Sequence, residues 1–261
     1  QIINDFFQPF FTGIFLEDEL TTSSRMFEFV FKMFGEGMAV IPLGGMEEIP
    51  KQLSAKLNKT VFKFNTKVTS VIDKEILLNT GEKLISDATI IATDASKIVK
   101  NLQQKDLEWK SCQTLYFTTK QRAIATPFIG LIPNNKSLIN NIFYHTSVHT
   151  KNTSKEELLS VTVVKDHNLL EKELVATVIQ QLQEECNIQS LTFLKTYTIS
   201  KALPDLQNLK YEVSPSETQL SSTVFLAGDV QLNGSLNAAM IAGENAALAV
   251  LESLGSTTMS A

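Results

Sequence analysis

Apolar and polar positions along this chain fall into blocks of different period, and the blocks predict its elements. Ile2–Phe15 is dense in apolar and aromatic residues, with Phe6, Phe7, Phe10 and Phe11 clustered around Pro9. The cluster serves either core packing or one wall of an apolar substrate cavity. Thr21–Ser24 offers N-cap residues, and Arg25–Phe34 follows at helical spacing until Gly35 and Gly37 end it. Ala39–Pro42 reads as extended and leads through Gly44-Gly45 into a helix carrying Ile49, Leu53 and Leu57 on one face. Val61–Phe64 and Lys67–Ile72 alternate as strands do. Glu75–Leu78 and Lys83–Ser86 flank the hairpin turn Asn79-Thr80-Gly81-Glu82, and Asp87–Ala92 ends in a wholly apolar strand. Thr93-Asp94-Ala95-Ser96 is then expected to cap a helix running to Leu102.

The middle of the chain changes character. Cys112–Thr118, Phe128–Ile132, Ile139–Tyr144 and Leu158–Val164 read as strands of a second sheet. Leu169–Glu185 is an amphipathic helix, and Leu191–Ile199 a further strand. Leu203–Ser222 is an irregular return to Val224–Ala227, a short apolar run of the kind buried on both faces. Gly228 and Asp229 stop that run, a loop with Asn233, Gly234 and Ser235 follows, and an Ala-rich helix begins. Strand, Gly-Asp, polar loop and helix is how an α/β protein presents a helix N-terminus to a ligand beyond a strand's carboxyl end. Asp229 can accept hydrogen bonds from ligand hydroxyls, and Ser235–Ala238 can offer backbone N–H groups with the helix dipole behind them. The competing expectation is a βα unit whose small residues, Ala238, Ala239, Ala242, Gly243, Ala246 and Ala247, serve only close packing of helix on sheet.

Composition narrows the classes. With 43% hydrophobic and 20% charged residues the chain has an ordinary globular balance, and 261 residues allow one large or two modest domains. A net charge of −5 without a Lys/Arg cluster argues against nucleic acid as a partner. No apolar stretch approaches a membrane span, so membrane contact is expected to be peripheral at most. Cys112 and Cys186 lie far apart, form no CxxC, and suggest buried thiols in a reduced, cytoplasmic setting. Asn135-Lys136-Ser137 matches the glycosylation pattern by chance. His145 and His149 have a metal-like spacing but sit in a strand-to-loop segment without a zincin Glu. They are expected to be solvated, and no metal site is predicted. No GxSxG, P-loop or EF-hand is present, and no residue stands out as a catalytic acid or base.

Four groups of residues, in order and at fitting intervals, resemble the FAD-dependent amine-oxidase superfamily, most closely its phytoene-desaturase-like branch. They are Phe7-Gln8-Pro9-Phe10 with Gly13–Leu16 and Thr21–Val30; Pro42-Leu43-Gly44-Gly45-Met46 with Ile49-Pro50 and Leu53; Asp87–Thr93; and Phe225–Asp229 with Gly234–Ala238. The resemblance implies an α/β fold with an α+β insertion: part of a Rossmann-like FAD-binding domain interleaved with a mixed-sheet substrate domain. Residues 1–37 and 101–204 would belong to the substrate domain, and residues 38–100 and 205–261 to the FAD-binding domain. It further implies that Val68 contacts the adenine by backbone, and that Ala92 and Thr93 lie near the ribose and pyrophosphate. Gly228 and Asp229 would meet the ribityl or pyrophosphate region. Ser235, Leu236, Asn237 and Ala238 would aim the helix start at the flavin pyrimidine edge.

The family's opening strand–GxGxxG–helix unit, which cradles the FAD diphosphate, is absent from these 261 residues. Asn237 stands where a Gly is common. The abrupt apolar start coincides with that absent unit and suggests a C-terminal fragment, holding FAD weakly or not at all. The intact protein is expected to remove hydride from an apolar, isoprenoid-like small molecule. The alternative is a cofactor-free α/β scaffold or lipid-binding module.

Overall fold

The computed structural model describes residues 1–100, 102, 107–148, 155–206 and 208–258, with side chains through 255. A turn of π-helix over Ile3–Phe7 opens into α1 (Gln8–Phe15), followed by α2 (Ser24–Glu36) and α3 (Glu48–Ser54). Three short strands, β1 (Val68–Ile72), β2 (Glu75–Leu78) and β3 (Lys83–Ile85), form an antiparallel meander, and β4 (Thr89–Ile91) follows. A second sheet takes β5 (Trp109–Thr119), β6 (Gly130–Leu131), β7 (Ile139–Tyr144), β8 (Glu157–Val163) and β9 (Thr192–Pro204), with α4 (Glu171–Cys186) between the last two. The chain closes on β10 (Val224–Leu226) and α5 (Leu236–Thr258). These elements form two compact units, each described below by itself. One comprises Gln1–Lys59 and Trp109–Leu203, the other Thr60–Glu108 and Pro204–Ala261.

In the first unit the strand order is β6-β7-β8-β5-β9. β5 and β7 both pair antiparallel with β8, at registers such as Leu115↔Val161 and Phe143↔Ser160. Alternation sends Leu115 and Phe117 of β5 and Leu159, Val161 and Val163 of β8 into one core. α4 closes that core with Leu174, Val178 and Leu182, four residues apart and buried on one face. α1 packs near β7, where Asn140 Nδ2 donates to Pro9 O at 3.2 Å. A Cβ on Gly13 would stand 2.7 Å from that same nitrogen, so the close approach needs glycine. The Phe cluster resolves into packing at its centre, where Phe11 meets Phe27 at 4.7 Å and is buried. Phe6, Phe31 and Phe34 form an exposed aromatic rim.

In the second unit β4 and β10 run parallel, Ile90 opposite Phe225. All of β10 is buried, as its unbroken apolar run requires. Val71, Ile91, Ala95, Val224 and Leu226 form one cluster, with Val68 packed at its margin. Ala246 and Ala249 of α5 close on Phe225 and Ala227, and their small side chains let the helix approach.

Three expected elements differ. Val61–Phe64 alternates but forms no strand; Val61 and Phe64 stand exposed, without a neighbouring strand to supply a ladder. The helix expected to reach Leu102 is a single 3-10 turn, Ala95–Lys97, whose cap is Asp94 accepting from Ser96 N at 3.2 Å. α2 runs through Gly35 and stops at Glu36, before the extended Gly37. No helix among the described residues is long and apolar enough to cross a membrane.

Candidate functional site

A parallel strand pair brings both carboxyl ends to one edge, and this geometry assembles most of the candidate residues. The ladder continues one step past β10, where Ala227 N donates to Ile91 O at 2.8 Å. The next residue, Gly228, takes φ +109 and ψ 164, a conformation open essentially to glycine alone. Its Cβ position would lie 3.9 Å from Ala92 O, so Ala92-Thr93 and Gly228-Asp229 form one ledge.

Beyond the ledge the loop is locked by its own hydrogen bonds. Asp229 starts a 3-10 turn over Asp229–Gln231, and its carbonyl accepts from Leu232 N and Gly234 N, both at 3.1 Å. Its carboxylate is half-buried and Oδ1 accepts from Val230 N at 3.0 Å. The second carboxylate oxygen makes no hydrogen bond among the described residues and remains available. Ser235 is the helix cap: Oγ accepts from Ala238 N at 3.1 Å and donates to Asn233 Oδ1 at 2.7 Å. Asn233 is buried and donates from Nδ2 to Lys210 O at 3.2 Å, while Lys210 N donates to Leu232 O at 3.0 Å.

The expectation that Ser235–Ala238 offers a run of open N–H groups is therefore narrowed. Ala238 N–H is consumed by Ser235, and the Ala238 side chain is buried beside Val213 and Leu232. The Leu236 and Asn237 N–H groups, in the first turn of α5, have no intrahelical acceptor, and both side chains are exposed. Val68 stands on β1, opposite Leu78, and joins Ile91 and Leu226 through the shared apolar cluster. Asn233, which the sequence marks only as a loop residue, fixes the loop. Its place beside Gly234 and Ser235 was the available signal.

The remaining candidate chemistry resolves differently. His145 is half-buried rather than solvated: Nε2 lies 2.9 Å from Ser160 Oγ, and burial pushes its pKa down. His149 lies outside the described residues. Cys112 and Cys186 are free, half-buried thiols whose pKa values are pushed up by burial. Among the described residues no three His, Cys, Asp or Glu side chains are placed to hold a metal ion.

Comparison with known proteins follows this geometry. Three solved structures share the fold at low identity. A putative protoporphyrinogen oxidase from Exiguobacterium is 16% identical with a TM-score of 0.53, over 77% of this chain and 51% of its own. A putrescine oxidase double mutant, from work on redesign of cofactor binding, is 12% identical with a TM-score of 0.53, over 80% and 53%. A CLA-producing fatty acid isomerase from P. acnes is 12% identical with a TM-score of 0.54, over 78% and 51%. The chain thus spans about half the length of these structures. No curated protein matches it. The sequence model for flavin containing amine oxidoreductases matches residues 1–251, nearly the whole chain, and the chain belongs to that family.

Proposed function

We propose that these residues are part of an FAD-dependent oxidoreductase of the phytoene-desaturase-like type, acting on an apolar, isoprenoid-like substrate. Residues 38–100 and 205–261 would contribute to its Rossmann-like FAD-binding domain, and residues 1–37 and 101–204 to its substrate domain. The observation that carries this reading is the parallel β4–β10 pair ending in the Gly228-Asp229 ledge and the capped start of α5.

The donor set fits one side of the dinucleotide. The Asp229 carboxylate keeps an oxygen for ligand hydroxyls, and the Leu236 and Asn237 N–H groups, backed by the α5 dipole, suit a partial negative charge. The partly buried Ser235–Asn233 hydrogen bond holds these groups in place before any ligand arrives. Ala92 and Thr93 would border the ribose and pyrophosphate, and Val68 the adenine. The diphosphate cradle, a strand–GxGxxG–helix unit in this type of enzyme, is not among these 261 residues. When bound, the flavin supplies the redox chemistry, taking up hydride from substrate. The exposed rings of Phe6, Phe31 and Phe34 favour an apolar substrate.

Asp229→Ala in the flavin-bearing polypeptide tests the assignment. Loss of hydrogen bonds to a charged acceptor should raise the Kd for FAD by about 10- to 100-fold. An unchanged Kd, read by flavin fluorescence quenching, would remove the role given to this carboxylate.

A further inference from the structure

Asn233-Gly234 is the sole Asn-Gly step in the sequence. Such a step is especially open to self-modification, because no Cβ on the second residue shields its backbone nitrogen. That nitrogen attacks Cγ of the Asn side chain and forms a new carbon–nitrogen bond. The bond from Cγ to Nδ2 breaks, and ammonia leaves with the proton given up by the backbone. The cyclic imide then takes up water and opens to aspartate or to isoaspartate. Water is the only co-reactant.

In the folded chain the groups this reaction needs are already engaged. Asn233 is 9% exposed. Its Nδ2, the leaving nitrogen, donates to Lys210 O at 3.2 Å, and its Oδ1 accepts from Ser235 Oγ at 2.7 Å. The attacking nitrogen, Gly234 N, donates to Asp229 O at 3.1 Å. Lys210 is itself anchored, with N donating to Leu232 O at 3.0 Å and Nζ paired with Glu217 at 3.2 Å. The side-chain amide is thus held at both ends. Turning it freely toward Gly234 breaks two hydrogen bonds, and freeing the Gly234 nitrogen breaks a third.

We propose that Asn233 is a self-modification site gated by this loop, closed while the loop is formed and open when it unfolds locally. The mark is one-way. Aspartate has no Nδ2–H for Lys210 O and sets a buried carboxylate against that carbonyl oxygen. Isoaspartate adds a carbon to the backbone and displaces Gly234 from Asp229 O. Neither product lets the loop close as before, so an opening that reacts alters the chain irreversibly. The gate lies in the loop that the flavin reading also uses, but it needs no flavin. Its test reads mass and unfolding alone, so either proposal can fail without the other.

The flavin-free 261-residue chain, incubated at mildly alkaline pH with and without guanidinium chloride, tests the gate. Peptide mapping by mass spectrometry follows the gain of a single mass unit at Asn233. The unfolded chain should react at least about tenfold faster than the folded one, because opening breaks these bonds together. Ser235→Ala, which frees Oδ1, should speed the reaction in the folded chain and leave the unfolded rate unaltered. Equal rates in the two states would overturn the proposal. So would a folded Ser235→Ala chain that reacts more slowly, since the hydroxyl would then assist the attack instead of guarding against it. Should that variant fail to fold, the unaltered chain in its two states decides alone. Asn233→Asp, the product made directly, should lower the unfolding midpoint; an unchanged midpoint would mean that the loop recloses and would overturn the one-way mark.

Discussion

Asp73 concentrates three hydrogen bonds on one carboxylate oxygen. They come from Ser221 Oγ at 2.7 Å, Thr223 N at 2.8 Å and Thr223 Oγ at 2.9 Å. They pin the β1–β2 turn to the residue that enters β10, and Lys74 N adds a bond to Thr223 Oγ. The donors hold the Asp73 pKa at about 2, below the ordinary value of about 4. A depressed folded-state pKa contributes stability that is present above pH 4 and lost as pH falls toward 2. Asp73→Ala should therefore lower the urea midpoint at neutral pH, with the gap to the unaltered chain narrowing between pH 4 and pH 2. A gap independent of pH over that range would count against the clamp. Nothing local in the sequence marks this residue. Asp73-Lys74 reads as an ordinary turn, and the partners lie about 150 positions away. The same holds for His145, just past β7, whose partner Ser160 sits on β8; a loop position alone suggests solvent.

At the level of elements, legibility followed the number of neighbours. β7 and α4 could be read from period alone because each has a partner face that imposes it: β8 beside β7, and the five-stranded sheet beneath α4. Val61–Phe64 shows a strand's alternation without a strand's neighbour, and a four-residue pattern cannot reveal that lack. The turn at Ala95–Lys97 reads as a longer helix in sequence because its cap, Asp94, is a genuine helix-start signal that a 3-10 turn uses equally well. The start of α5 was legible in outline, but the capping bond that removes Ala238 N–H from the open set was not. That bond gives a direct expectation: Ser235→Ala should cost about 1 kcal/mol of stability, measured by denaturant unfolding, while Ser235→Asp should retain most of it. An unaltered Ser235→Ala midpoint would mean the cap contributes nothing, and that the loop owes its order to Asn233 alone.

For the whole molecule, residues 60–108 and 204–261 meet in one unit across an intervening stretch of about a hundred residues, as the closing strand pair requires. The matching glycines, the Gly-Asp step and the Ala-rich helix made the family visible in sequence. The ledge at Gly228 has no local signature in sequence, because it depends on where Ala92 O lies. Under the proposed function these residues would provide the hydroxyl- and ring-facing side of a dinucleotide site, in a chain about half as long as the oxidase structures it matches. The most direct measurement is the visible flavin absorbance of a polypeptide joining these 261 residues to a strand–GxGxxG–helix unit taken from a flavin containing amine oxidoreductase, purified, incubated with FAD and desalted. It should stay yellow, and its Asp229→Ala form should lose colour. A colourless protein after reconstitution would contradict the flavin assignment and leave a cofactor-free scaffold in its place.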